Sequence, residues 1–103
     1  MNDLTFAQLR VANTSRSWDL HLNPDLWSPN DWAVATAGEL GEALNLLKKR
    51  RRGEIIQPLE IAHELADTLI YLDLLAASLG IDLGEAVREK FNLVSRRYGV
   101  DVQ

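Results

Sequence analysis

Between Pro58 and Gly80 the chain is apolar around most of a helical circumference. At about 100° per residue, Leu59, Ile61, Leu65, Leu69, Leu72 and Ala76 fall within one wide arc, and Leu74 and Leu75 flank the other side. A narrow polar line interrupts this surface: Glu60, Glu64, Asp67 and Tyr71, with His63 beside it. A helix of this kind is expected to be covered on nearly all sides. Carboxylates enclosed with it must be paired or must hold a cation. Asp73 falls on the apolar arc, away from the polar line. It is expected in a buried hydrogen bond or a subunit contact.

The partner for that helix is legible upstream. Ser28-Pro29-Asn30-Asp31 is a strong helix start, with a serine cap, proline at the first position and an acid in the first turn. This second helix is predicted to run to about Arg52, where Gly53 ends it. Trp32, Ala35, Thr36, Leu40, Ala43, Leu46 and Leu47 form its apolar stripe. Glu39 falls in the middle of the stripe and Glu42 at its edge. Residues three apart share a helix face, so Glu39 and Glu42 point one way, as do Glu64 and Asp67. Two such helices packed antiparallel bring four carboxylates together. Like charges that close repel unless a cation sits among them, and an all-oxygen set suits one or more hard divalent ions.

The remaining segments also read as helix. Thr5-Phe6-Ala7-Gln8 has the form of a capping box, opening a first helix from about Phe6 to Ser17. A loop is expected from Trp18 to Pro29, holding His21, Trp18 and Trp27; its tryptophans can cover a flat ligand or simply lid the core. Asp82-Leu83-Gly84-Glu85 reads as a second capping box, opening a fourth helix to about Tyr98 with Ala86, Val87, Phe91, Val94 and Tyr98 on its apolar face. No stretch alternates like a strand. The expectation is an all-α fold of four principal helices in a single domain spanning residues 1–103.

Composition narrows the function classes. A chain of 103 residues buries a modest core, so self-association is a natural supplement. The net charge of −4 disfavours a nucleic-acid polymer as partner. No cysteine is present, which excludes thiolate metal sites and disulfides. The start lacks a basic, apolar leader and no run is long enough to span a membrane, so a cytoplasmic protein without a membrane partner is expected. Lys48 and Lys49 head a basic run through Arg52. Such a run favours the helix C-terminus electrostatically, and one or two of its members can also grip a phosphate. Lys90, at the edge of the fourth helix's apolar face, can snorkel to water or reach the acids or a phosphate.

These residues together resemble the MazG-type all-α nucleoside triphosphate pyrophosphatases, which include the dCTP pyrophosphatases. The resemblance is carried by Ala37-Gly38-Glu39-Leu40-Gly41-Glu42-Ala43, by Glu64-Leu65-Ala66-Asp67 through Leu72, and by Lys90-Phe91-Asn92 followed by Arg96-Arg97-Tyr98-Gly99. It spans roughly Asn30 to Gly99. It implies a helical bundle completed by dimerisation, often as a dimer of dimers. It implies magnesium, with manganese as a substitute, held by Glu39, Glu42, Glu64 and Asp67. It implies hydrolysis of a (deoxy)nucleoside triphosphate to a monophosphate and pyrophosphate. Tyr71 matches a tyrosine that lines the base pocket in the dCTP branch, and Trp18 matches a tryptophan that stacks on the base. Lys48, Lys49, Lys90 and Asn92 complete the expected substrate contacts. The chain departs from that branch at Lys49, where an aromatic is usual, and near Arg10, where a histidine is usual; a strict dCTP preference is not expected.

Of the four acids, Glu39 is the one expected nearest the attacking water, with Glu42 beside it as the second catalytic candidate. Glu42, Glu64 and Asp67 serve chiefly as ligands, and the set is expected to titrate as a coupled group. Two rivals stand beside this reading. One is another helical hydrolase, for phosphoribosyl-ATP or dUTP. The other is a non-catalytic dimerisation module, with the acids paired to Lys90, Arg96 and Arg97.

Overall fold

The computed structural model describes residues 3–20 and 26–103. Among them there are four helices and no strand: α1 (Phe6–Asp19), α2 (Pro29–Arg51), α3 (Pro58–Ser78) and α4 (Leu83–Arg97). The starts follow the caps. The Thr5 hydroxyl accepts from the Gln8 N–H at 3.0 Å while Gln8 accepts from the Thr5 N–H at 2.8 Å. Ser28 and Asp31 form the same reciprocal pair. At α3 the Glu60 carboxylate reaches back to the Gln57 N–H at 2.8 Å, so this acid is spent on the helix start. Asp82 accepts from the Glu85 N–H at 3.0 Å. The return bond that would complete a capping box there is not formed. Gly53 and Gly80 take φ of 97° and 68°, the left-handed conformation that closes α2 and α3 at little steric cost.

α1 runs past the predicted end, and Trp18 lies in its final turn instead of in a loop. The physical reason is that no glycine or proline intervenes before Pro24, and the Leu20 N–H still bonds the Arg16 carbonyl at 2.9 Å. His21 and Pro24 lie outside the described residues.

α2 and α3 form the dominant pair, joined by the short 52–57 connection. Trp32 and Ala43 of α2 and Leu74 and Ala76 of α3 are the buried apolar residues. α1 crosses α3 and is fixed there by polar chemistry. Asp73, only 1% exposed, accepts from Arg10 Nε at 3.2 Å and from Arg10 Nη2 at 3.1 Å. The same Nη2 also donates to the Ile81 carbonyl at 2.8 Å. Asn13, buried beside them, donates to the Ile70 carbonyl at 2.9 Å and to Asp73 at 3.3 Å. Asp73 thus has the buried hydrogen bonds expected of it, and Arg10 is wholly committed to structure.

α4 packs mainly on α1 and buries none of its residues. Nor is α3 covered on all sides within one chain. Leu59, Leu65, Leu69 and Leu72 remain exposed, as do Leu40, Leu44 and Leu47 of α2 and Val87 and Phe91 of α4. The polar line is correspondingly open: Glu60 and Asp67 are exposed and Glu64 is half-buried.

Candidate metal centre

Ala43, fully buried, lets α2 and α3 approach closely one turn from Glu39. Across that approach Glu39, Glu64 and Asp67 each place a carboxylate oxygen within 4.8 Å of the others. Two oxygens bound to one magnesium at 2.0–2.1 Å lie at most about 4.2 Å apart, so small side-chain rotations suffice to close the set. Glu39 and Glu64 are half-buried, and Asp67 is exposed. Glu64 Oε2 is out of reach of solvent and has no hydrogen-bond partner. A carboxylate oxygen in that state needs a proton or a cation. Donors that are all oxygen suit a hard divalent ion, and the residues fit magnesium.

Glu42 stands apart from the triplet yet acts on it. The Glu39 carboxyl is held above its ordinary 4.5 first by desolvation, then by repulsion from Glu42 and Asp67 and by a hydrogen bond with Glu42. The Glu64 carboxyl is raised first by a hydrogen bond with Glu42, then by desolvation, then by repulsion from Glu42, Asp67 and Glu39. The hydroxyls nearby turn their protons to the backbone: Thr36 donates to the Trp32 carbonyl and Thr68 to the Glu64 carbonyl, both at 2.8 Å.

Beside the acids lies a cavity of about 240 Å³, lined by Asp67 and Tyr71 together with Trp32, Asn13, Arg16 and Ser17. The ring centroids of Trp32 and Tyr71 are 6.2 Å apart, and Trp27 lies against the other side of the cluster, 4.4 Å from Trp32. Tyr71 therefore stands where the polar line of α3 predicts, one turn beyond Asp67. Trp18 lines a different cavity of about 450 Å³, with Trp27, Trp32 and Leu74. Trp32 is common to both. Lys48, Lys49 and Lys90 line neither cavity. Asn92 lines a separate hollow with Arg96 and Gly99 near the end of α4.

Two residues of the Tyr71 cavity carried no functional expectation. Trp32 reads in sequence as core, and it is core, but its ring also forms a wall. Arg16 gave a weak signal: Asn13, Arg16, Ser17 and Leu20 repeat at the spacing of one helix face, and all four line this cavity. No protein-family model matches the chain, and a search of curated proteins finds none similar enough to count as a relative.

Proposed function

We propose that the chain is a magnesium-dependent nucleoside triphosphate pyrophosphohydrolase that removes non-standard or surplus nucleotides. The observation that carries this reading is the convergence of Glu39, Glu64 and Asp67 beside a cavity walled by Trp32 and Tyr71. Such a site offers a hard-cation position at one end and aromatic faces at the other. A triphosphate and a base need those two things at that separation of one helical turn. The likeness to the MazG-type pyrophosphatases, set out above, points to the same chemistry.

Glu39, Glu64 and Asp67, with Glu42 adjoining, would hold the ion. When bound, magnesium supplies charge neutralisation on the phosphates and makes phosphorus more electrophilic. Glu39, half-buried in the middle of the apolar stripe of α2, is the base. It takes a proton from water as the water oxygen bonds to the α-phosphorus. The bond from that phosphorus to the bridging oxygen breaks, and its electron pair leaves on pyrophosphate. The products are a nucleoside monophosphate and pyrophosphate. Tyr71 holds the base by stacking, a contact that tolerates different bases.

The exposed leucines of α2 and α3 and the unburied apolar face of α4 support self-association as a dimer, or a pair of dimers, in the cytoplasm. Fully burying an exposed leucine is worth about 1.5–3 kcal/mol, and these leucines, already partly covered, would each add a fraction of that. The rival reading as an ion-paired interaction module has little to support it. The ion pairs among the described residues are Arg10–Asp73 and Arg52–Glu54, and none involves the four acids. Among those residues no helix is long and apolar enough to cross a membrane.

The test is pyrophosphate release from a panel of nucleoside triphosphates with magnesium, for the wild type, Glu39→Gln and Asp67→Asn. Turnover by the wild type and loss of most of it in both variants, with helical content retained, is the expected result. Near wild-type turnover in either variant means the site is wrongly assigned.

A further inference from the structure

We infer that Arg16 is the cation that grips the phosphate chain in this site. The inference rests on the hydrolase reading above and deepens it, because the basic residues that sequence offers for the role are elsewhere. Lys48, Lys49 and Lys90 do not line the cavity between Asp67 and Tyr71; Arg16 does, and it is the cation that does so among the described residues. Arg10, two turns earlier on α1, is committed to Asp73 and to the Ile81 carbonyl. Arg16 is exposed and forms no ion pair within the described residues.

The placement follows from α1 itself. Asn13 and Ser17 are buried and fix one face of the helix on α3. Arg16 is three residues after Asn13, at the edge of that face, with its backbone carbonyl bonded to Leu20. A last-turn arginine also favours the helix dipole, but that role is met by any outward direction of the side chain. It does not require a position across a cavity from a carboxylate that belongs to a metal centre.

Charge makes the need concrete. Four carboxylates and a triphosphate together carry more negative charge than one or two magnesium ions can balance. A planar guanidinium, which binds two phosphate oxygens at once and stays protonated, is the side chain suited to the excess. Lining the same cavity as Asp67, it is placed to meet phosphate oxygens held at the acids. There it offsets the charge that collects on the departing pyrophosphate.

The experiment compares wild type, Arg16→Ala and Arg16→Lys on the best-turned-over nucleotide of the panel. In parallel, inorganic tripolyphosphate with magnesium is titrated calorimetrically into each protein. Arg16→Ala is expected to lower kcat/KM and tripolyphosphate affinity by roughly ten- to a hundredfold, the loss of a charge-assisted hydrogen bond. Arg16→Lys should recover part of it, and millimolar guanidinium ion should restore activity to Arg16→Ala while leaving the lysine variant unchanged. A purely structural arginine would instead lower the melting temperature without responding to guanidinium. Unchanged kcat/KM and tripolyphosphate affinity in Arg16→Ala, with an active wild type, overturn the inference and leave the hydrolase reading intact. A wild type that turns over no nucleotide yet binds tripolyphosphate through Arg16 defeats the hydrolase reading and keeps the phosphate grip. A wild type that does neither defeats both.

Discussion

Replacing Arg10 by alanine strips Asp73 of its cationic partner among the described residues. The carboxylate is 1% exposed and would keep one described contact, the Asn13 amide at 3.3 Å. Removing one member of a buried ion pair costs about 3–5 kcal/mol, because the other charge is left without compensation. The Arg10 side chain is itself 27% exposed, so water can reach the vacated space, and the lower figure of about 3 kcal/mol applies. At about 2.1 cal/mol/K per residue, a chain of 103 residues has an unfolding entropy near 0.22 kcal/mol/K, and the melting temperature should fall by about 14 °C. Circular dichroism at 222 nm during heating, at one fixed protein concentration, reads this directly. The loss should persist in half-molar salt, since buried pairs are weakly screened. It should shrink in Arg10→Met combined with Asp73→Leu, where an apolar pair replaces the charged one. A fall below about 4 °C for Arg10→Ala, or a fall abolished by salt, would show that the bidentate contact contributes little and that α1 is held to α3 by packing and by the Asn13 bond to the Ile70 carbonyl.

Stability should also respond to pH through the acids. Glu39 and Glu64 have folded-state values above 4.5, so the folded chain binds protons that the unfolded chain has released; the site's stabilising contribution is present below that value and is lost as pH rises through the raised values. The metal-free melting temperature of the wild type should therefore fall relative to that of Glu64→Gln as pH goes from about 4.5 toward neutrality. Magnesium should remove the difference, and a flat difference across that range refutes the coupling. Tyr71→Ala should raise KM roughly ten- to a hundredfold, the loss of a stacking contact worth ~1–3 kcal/mol, while magnesium affinity stays unchanged. Because Tyr71 also lies 6.2 Å from Trp32, some thermal stability will go with it; a destabilised enzyme with unaltered KM makes the tyrosine a core residue only.

The acids were legible because their signal is local. Glu39 in the middle of an apolar stripe contradicts the stripe's own pattern, and such a conflict between levels marks a functional or specifically paired residue. The helix starts were legible for the same reason: Thr5, Ser28 and Asp82 act on groups three residues away. Arg16 was not, since its significance lies in which helix α1 crosses and at what height. No spacing within α1 encodes that. Trp18 was misplaced because the tryptophans and prolines of the following stretch suggest a loop from its first residue, whereas a helix stops only where a residue cannot continue it.

Burial was misread in α3 for a different reason. A helix apolar around its circumference records every surface it covers in its working assembly. One chain can offer it only α2 along one side and α1 across another. Leu59, Leu65, Leu69 and Leu72 are covered only in part, and the α4 face of Val87 and Phe91 turns to no helix among the described residues that covers it fully. Asp67 is open to water on the other side of the same helix, about 200° round from both Leu65 and Leu69. A surface laid over those leucines would therefore leave the acid line open to water. The apolar arc of α3 and its acidic line are therefore two separate surfaces, and what covers one leaves the other bare.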